Sequence, residues 1–285
     1  MSRWSRLRHT WRRHAPLLSG LLGLLVVSTV FLVPFAFILA MSVKDVEEAA
    51  LLRFTWPAVT HAWDNFRQVI EARDHMLLLA FFNSVVITVA SVALMVVFGA
   101  MVGFVLQRHQ SAWSRVADAC ILAGLIMPPA VVPTIWVMQS LFLFKTKTGL
   151  VLIEVAYGLA FSIMLFRAFI ATVPKELDEA AIIEGAGPVA LFFKVILPLL
   201  KPVVVTVIVV QSVAVFNDFT NPLYYLPGSK NVTVQLTLYN FQSMFNTSYN
   251  LLFMNILLIT VPPLLMFLFF NRQIVQGMTA GAVKG

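Results

Sequence analysis

Amides, a carboxylate and phenols gather in one short stretch of an otherwise apolar chain: Gln211, Asn217, Asp218, Asn221, Tyr224 and Tyr225. Amides and carboxylates pair with sugar hydroxyls, and aromatic rings stack on sugar faces, so the stretch reads as part of a solute path. A second reading needs no solute. Tyrosines anchor helices at membrane interfaces, and Asn221-Pro222 starts a turn, as residues at helix ends commonly do. Glu154 is the one acid inside an apolar segment long enough to span a bilayer, and ionisable groups at that depth are functional candidates. It also stands about one turn from the end of its segment, where Lys145 or Lys147 would form a purely structural pair with it.

Other chemistry is missing from the sequence. There is no GxxxxGK[ST] phosphate loop, so ATP is not expected to bind by that route, and there is no GxSxG or glycine-rich dinucleotide fingerprint. The single cysteine, Cys120, excludes an internal disulfide and a thiolate metal cluster. The five histidines form no HxxxH or HExxH pair, so no metal is expected. An intramembrane enzyme would need paired catalytic groups, and a proton-coupled carrier a chain of buried acids or histidines; Glu154 alone makes neither.

The elements that must position these residues are set by composition. Of the 285 residues, 60% are hydrophobic and 12% charged, against about 25% charged in soluble domains. Lipid is therefore the expected solvent. The formal charge of +7 has no basic, aromatic-interleaved soluble segment to carry it to nucleic acid. Residues 15–43 hold no charge and would span about 43 Å as a helix, more than the bilayer core requires. Five arginines (Arg3, Arg6, Arg8, Arg12, Arg13) precede them, and the run is about twice a signal-peptide core, so an uncleaved first span is expected. Further spans are expected within Met76–Gln107, Ala119–Phe144, Leu150–Phe166, Pro202–Phe216 and Leu251–Phe270, six in all.

An even number places both termini on one side. With the N-terminus cytoplasmic, inner segments hold 13 Lys and Arg and outer segments seven, in keeping with the positive-inside tendency. Lys145 and Lys147 are the outer exceptions. Pro128, Pro129 and Pro133 in the third span, and Pro262 and Pro263 in the sixth, predict irregular helices, because each proline removes a donor and crowds the preceding turn. Gly99 and Gly103 form a GxxxG that favours close helix contact, expected inside this chain rather than with another.

Between the fourth and fifth spans lies the long charged inner loop TVPKELDEAAIIEGAGPVALFFKVILPLLKP, residues 172–202. Pro174 suits a first helical position, and Glu176, Asp178 and Glu179 fall where acids favour the helix dipole. Gly185 is a natural stop, and Pro188 starts a second amphipathic helix carrying Leu191, Phe192, Val195 and Ile196, closed by Pro198. Two short helices joined at a glycine make a stiff elbow. Ala180, Ala181, Gly185 and Ala186 would let another protein approach its backbone closely.

The spacing Glu179-Ala180-Ala181, three residues, Gly185, nine residues, Val195, one residue, Leu197-Pro198 resembles the EAA loop of ABC-importer permeases, with Val195 where many have Ile. FNDFTNPLYYL (216–226) and GMTAGAVKG (277–285) resemble stretches of carbohydrate-uptake permeases of the maltose-transporter, MalG-like type. The resemblance covers nearly the whole chain and is weakest over the first 15 residues and the first outer loop. Phe216, where Trp is common, and Gly187-Pro188, where Ser often follows Gly-Ala, depart from the pattern.

The resemblance implies an all-α membrane protein of the type I ABC importer permease fold, a single domain over residues 1–285 of the bacterial cytoplasmic (inner) membrane with both termini inside. In that family the elbow is a coupling helix docked on a separate ATPase subunit, which carries over to Glu179, Ala180, Ala181, Gly185, Ala186 and Phe192. ATP and Mg would then be bound by partner ATPase subunits, with no cofactor in this chain. One chain offers one elbow and two ATPases need two, so a second, non-identical permease subunit is implied. A solute-binding protein would deliver substrate outside, and alternating access would carry a sugar or oligosaccharide inward. The alternative within transport is another solute, such as glycerol phosphate or an acidic saccharide.

Overall fold

The computed structural model describes residues 3–109, 111–242 and 247–282, with side chains described over 20–271 apart from 22, 110 and 243–246. The side chains of the five leading arginines and Arg272, and the whole of Lys284 with the last three residues of GMTAGAVKG, lie outside that description. The helices are α1 (Arg3–Ser42), α2 (Val46–Ala50), α3 (Ala62–Arg108), α4 (Ala112–Ile126), α5 (Val131–Ser140), α6 (Lys147–Ile170), α7 (Glu176–Ile183), α8 (Pro188–Leu199), α9 (Lys201–Phe216), α10 (Thr220–Tyr225) and α11 (Tyr249–Ala282). Among the described residues there is no strand, only an isolated bridge between Gln242 and Thr247.

Four stretches among the described residues are long and apolar enough to cross a membrane: Gly23–Ser42, Ala62–Arg108, Lys147–Ile170 and Tyr249–Asn271. Two bent pairs, α4 with α5 and α8 with α9, bring the number to six when each is counted as one span. The all-α, multi-span architecture expected from composition is therefore present, but the third span is not a rod. α4 and α5 meet at 118°. Met127 leaves the helical region with ψ 124, the conformation imposed on a residue ahead of proline, and Pro128-Pro129 then supply no donors to continue α4. Pro262 and Pro263, by contrast, sit inside an unbroken α11. In α3, Arg73, Asp74 and His75 take φ of 50 to 60°, which divides a polar first stretch from the apolar run expected from Met76.

The chain forms two compact units, Met1–Val69 with Tyr239–Leu258, and Ile70–Leu238 with Ile259–Gly285. In the first, Phe37 meets Phe54 and Phe253 edge-on at 5.9 and 5.5 Å. Buried Asn65 donates to the carbonyls of Ser42 (2.8 Å) and Lys44 (2.7 Å) and accepts from Asn250 (2.8 Å), so the loop backbone stays satisfied away from water.

Among the described residues, two apolar cores lie in the second unit. One joins Phe104 of α3 and Phe166 of α6 to Leu191, Phe192 and Ile196 of α8 and Val207 of α9. The other joins Met95, Met138, Leu150, Val155, Val215 and Tyr225. The Gly99–Gly103 face lies against α6 of this same chain. A Cβ at Gly103 would fall 3.0 Å from the Phe166 Cβ and 3.3 Å from the Arg167 backbone nitrogen. The GxxxG is an internal packing device, as its spacing suggested.

Candidate functional site

The charged loop of residues 172–202 folds into the elbow its residues predict. α7 begins at Glu176, two residues after Pro174, with Glu176, Asp178 and Glu179 in its first turn. It stops at Gly185, whose φ of +85° places it in the left-handed region. The Gly185 N–H bonds the Ile182 carbonyl and the Ala186 N–H bonds the Ala181 carbonyl, both at 2.9 Å. This double closure is a Schellman cap, which needs a left-handed residue and so favours glycine. α8 then runs from Pro188 to Leu199 and passes through Pro198 rather than ending there. Its middle, Leu191–Ile196, is a π-helical turn. A wider turn relieves the crowding that Pro198 imposes on the carbonyl one turn earlier. At Leu200 the chain bends by 76° into α9, where Pro202 occupies the first turn.

The six elbow residues named from sequence separate by exposure. Glu179, Ala180 and Gly185 are exposed, Ala186 is half-buried, and Ala181 and Phe192 are buried. Phe192 packs on Phe104 of α3 at 5.7 Å, so it holds the elbow from below instead of offering a surface. The exposed face carries apolar residues that sequence reading passed over: Ile182, Ile183 at 86% exposure and Val189 at 71%. The signal for Ile183 was its place two residues after buried Ala181, on the opposite side of α7. A cavity of about 460 Å³ lies beside the elbow, lined among others by Phe104, Arg108, Lys175, Asp178 and Glu179.

The polar stretch does not form one cluster. Gln211 is buried and its amide donates to the Gly158 carbonyl (2.9 Å) and Ser162 Oγ (3.0 Å), joining α9 to α6. Tyr225 is fully buried in the second core, while Tyr224 is exposed. Asn217, Asp218 and Asn221 do gather near the Lys147 end of α6. Asp218 Oδ1 accepts from the backbone of Thr220 (2.8 Å) and Asn221 (3.3 Å), and Asn217 Oδ1 accepts from Gln235 (3.1 Å). Glu154, buried on α6, accepts from the Asn221 amide at 3.2 Å. The expected pairing of Glu154 with a lysine is therefore replaced by an amide. The ammonium groups of Lys145 and Lys147 lie over the rings of Phe144 and Phe82, at 5.5 and 5.8 Å. Gln235 was missed because it lies a whole loop away in sequence.

Residues 95–279, which include both the elbow and the polar stretch, match the family described as binding-protein-dependent transport system inner membrane component. The chain belongs to that family. It is thus a transport permease of the inner membrane rather than an enzyme. Among its relatives, the diacetylchitobiose uptake system permease protein NgcG of Streptomyces coelicolor is 30% identical over 96% of this chain and 90% of its own length. The melibiose/raffinose/stachyose import permease protein MelC of Bacillus subtilis is 27% identical over 91% of this chain and 94% of its own. A chain of the crystal structure of a bacterial ABC transporter involved in the import of the acidic polysaccharide alginate shares the permease fold, with a TM-score of 0.77 at 19% identity over 95% of this chain and 98% of that one.

Proposed function

We propose that this permease is one of two membrane subunits of an ABC importer for a sugar or oligosaccharide, and that its elbow docks on an ATPase subunit at the cytoplasmic face. The carrying observation is the elbow surface: Ile183 and Val189 stand in the open on a capped, stiff helix pair outside the long apolar helices. Apolar side chains in such a place gain by being covered by a partner. ATP and Mg belong to that partner, and a solute-binding protein delivers substrate to the opposite face. Both termini lie in the cytoplasm, the side with more lysine and arginine. The relatives' carbohydrates supply the substrate class, and Asn217, Asp218 and Asn221 offer hydroxyl partners at the outer end of the path.

An anionic solute, such as glycerol phosphate or an acidic saccharide, is the second reading. Lys145 and Lys147 favour it, since their ammonium groups rest on aromatic rings rather than on carboxylates. The test is to identify the solute retained by the binding protein encoded beside this permease, then measure its ATP-dependent uptake into vesicles holding the assembled transporter. Retention of a neutral oligosaccharide supports the first reading, and of an anion the second. Retention of an amino acid or a metal would refute both.

A further inference from the structure

Two elements that carry ion pairs meet at the inner end of α3, and their connections extend beyond the elbow. Arg108, in the last turn of α3, places Nε 2.7 Å from Asp178 Oδ2 of α7, and its Nη2 donates to the Val173 carbonyl at 3.0 Å. Both side chains are shielded, at 7% and 13% exposure. One turn earlier, Phe104 packs on Phe192 of α8. The end of α3 thus holds both arms of the elbow, one by charge and one by an aromatic contact. The neighbouring residue faces the other way: Gln107 Oε1 accepts from Arg167 Nε of α6 at 3.3 Å, and Arg167 also pairs with Asp118 of α4.

We infer that the Arg108–Asp178 pair is a strut that locks the elbow to the end of α3, and that Gln107 and Arg167 extend the same rigid connection to α6 and α4. Arg108 and Asp178 are positioning residues. They touch no solute and no nucleotide, and they act by making elbow and membrane helices move together. A shielded charge pair suits this role because it is intolerant of partial separation: moving one charge away leaves the other desolvated and unpaired. A purely apolar contact can slide. A surface charge at Asp178 would add little, since exposed pairs contribute roughly 0–1 kcal/mol. This inference rests on the proposed docking of the elbow on an ATPase.

The test uses the whole transporter in lipid, in a Cys120→Ser background, with spin labels on cysteines replacing Glu176 of the elbow and Trp113 of α4, both of them exposed and neither part of the proposed docking surface. Distances are measured with and without MgATP and vanadate. In the otherwise unchanged protein one narrow distance is expected, the same in both states. Arg108→Gln and Asp178→Asn should keep the ATPase subunits bound but add a second distance that depends on nucleotide. Arg108→Lys, which keeps the charge but loses the fork, should restore most of the single distance. An unchanged single distance in Arg108→Gln and Asp178→Asn overturns the strut, as does a distance that already changes with nucleotide in the parent. If all three variants fail to insert, the pair is a folding contact and the inference also falls. Absence of ATPase subunits from the parent complex overturns the docking itself, and is seen at purification before any distance is measured.

Discussion

Replacing Gly185 isolates the elbow's geometry from its packing. The residue has φ +85°, and a Cβ built on it would meet nothing within 4 Å. Within this chain a Cβ there therefore fits in space, and the penalty comes through the backbone, about 1–2 kcal/mol for a residue other than glycine in the left-handed region. A β-branched side chain should fall at the upper end. Such a difference changes an equilibrium by about 5–30-fold, enough to exchange the Schellman cap for another chain path and turn α8 away from α7. Gly187 is the internal control. It also has open space around its Cβ, but its φ is −69° and its ψ 165°, which suits any residue ahead of Pro188. Gly185→Val should thus insert and bind the partner permease, yet lose binding-protein-stimulated ATP hydrolysis and uptake together. Gly185→Asn should be milder, because asparagine tolerates the left-handed region, and Gly187→Ala should be close to the parent. The assay is ATPase and transport on the same purified complex in lipid. Equal activities for Gly185→Val and Gly187→Ala would refute the reasoning.

Further expectations follow from other parts of the chain. Single cysteines at Thr60 and Ala186, in a Cys120→Ser background, should differ in intact cells: an impermeant thiol reagent should label position 60 and spare position 186, and labelling of 186 from outside would reverse the topology. Neutralising Lys145 and Lys147 together should reduce uptake most at low salt, since exposed charges are screened beyond ~8 Å at physiological ionic strength; a loss independent of salt would remove their electrostatic role. Gly103→Ala forces a methyl to 3.0 Å from Phe166 Cβ and 3.3 Å from a backbone nitrogen. It should lower stability by about 1–3 kcal/mol, the usual effect of overpacking. A melting temperature in detergent equal to the parent's would show that α3 and α6 separate more easily than their contacts indicate.

Much of this permease was legible without its coordinates. The apolar runs dictate helices wherever lipid is the solvent, because only a helix satisfies its backbone internally. They located Met76 as the start of the second apolar helix and Leu251–Phe270 within the last. The elbow was legible too, since acids, a glycine and a proline at those spacings act through local backbone rules. Pro128-Pro129 marked a break in the third span, but its 118° angle could not be read from them. Proline deletes donors locally, and the direction the chain takes next depends on what packs around it.

What tertiary structure alone decided is which polar groups meet. Gln211 reads like Asn217 and Asn221 in sequence, yet the fold spends its amide on Gly158 and Ser162 inside the helix bundle. Glu154 looks toward two lysines along the chain, and a residue 67 positions later supplies its partner instead. Arg108 counted only as one more inner positive charge until α7 folded back to put Asp178 against it. Local pattern depends on neighbours a few residues apart, so the sequence determines helices, caps and stops. Partners at membrane depth are chosen by which helix faces come together, and that is a property of the packed bundle.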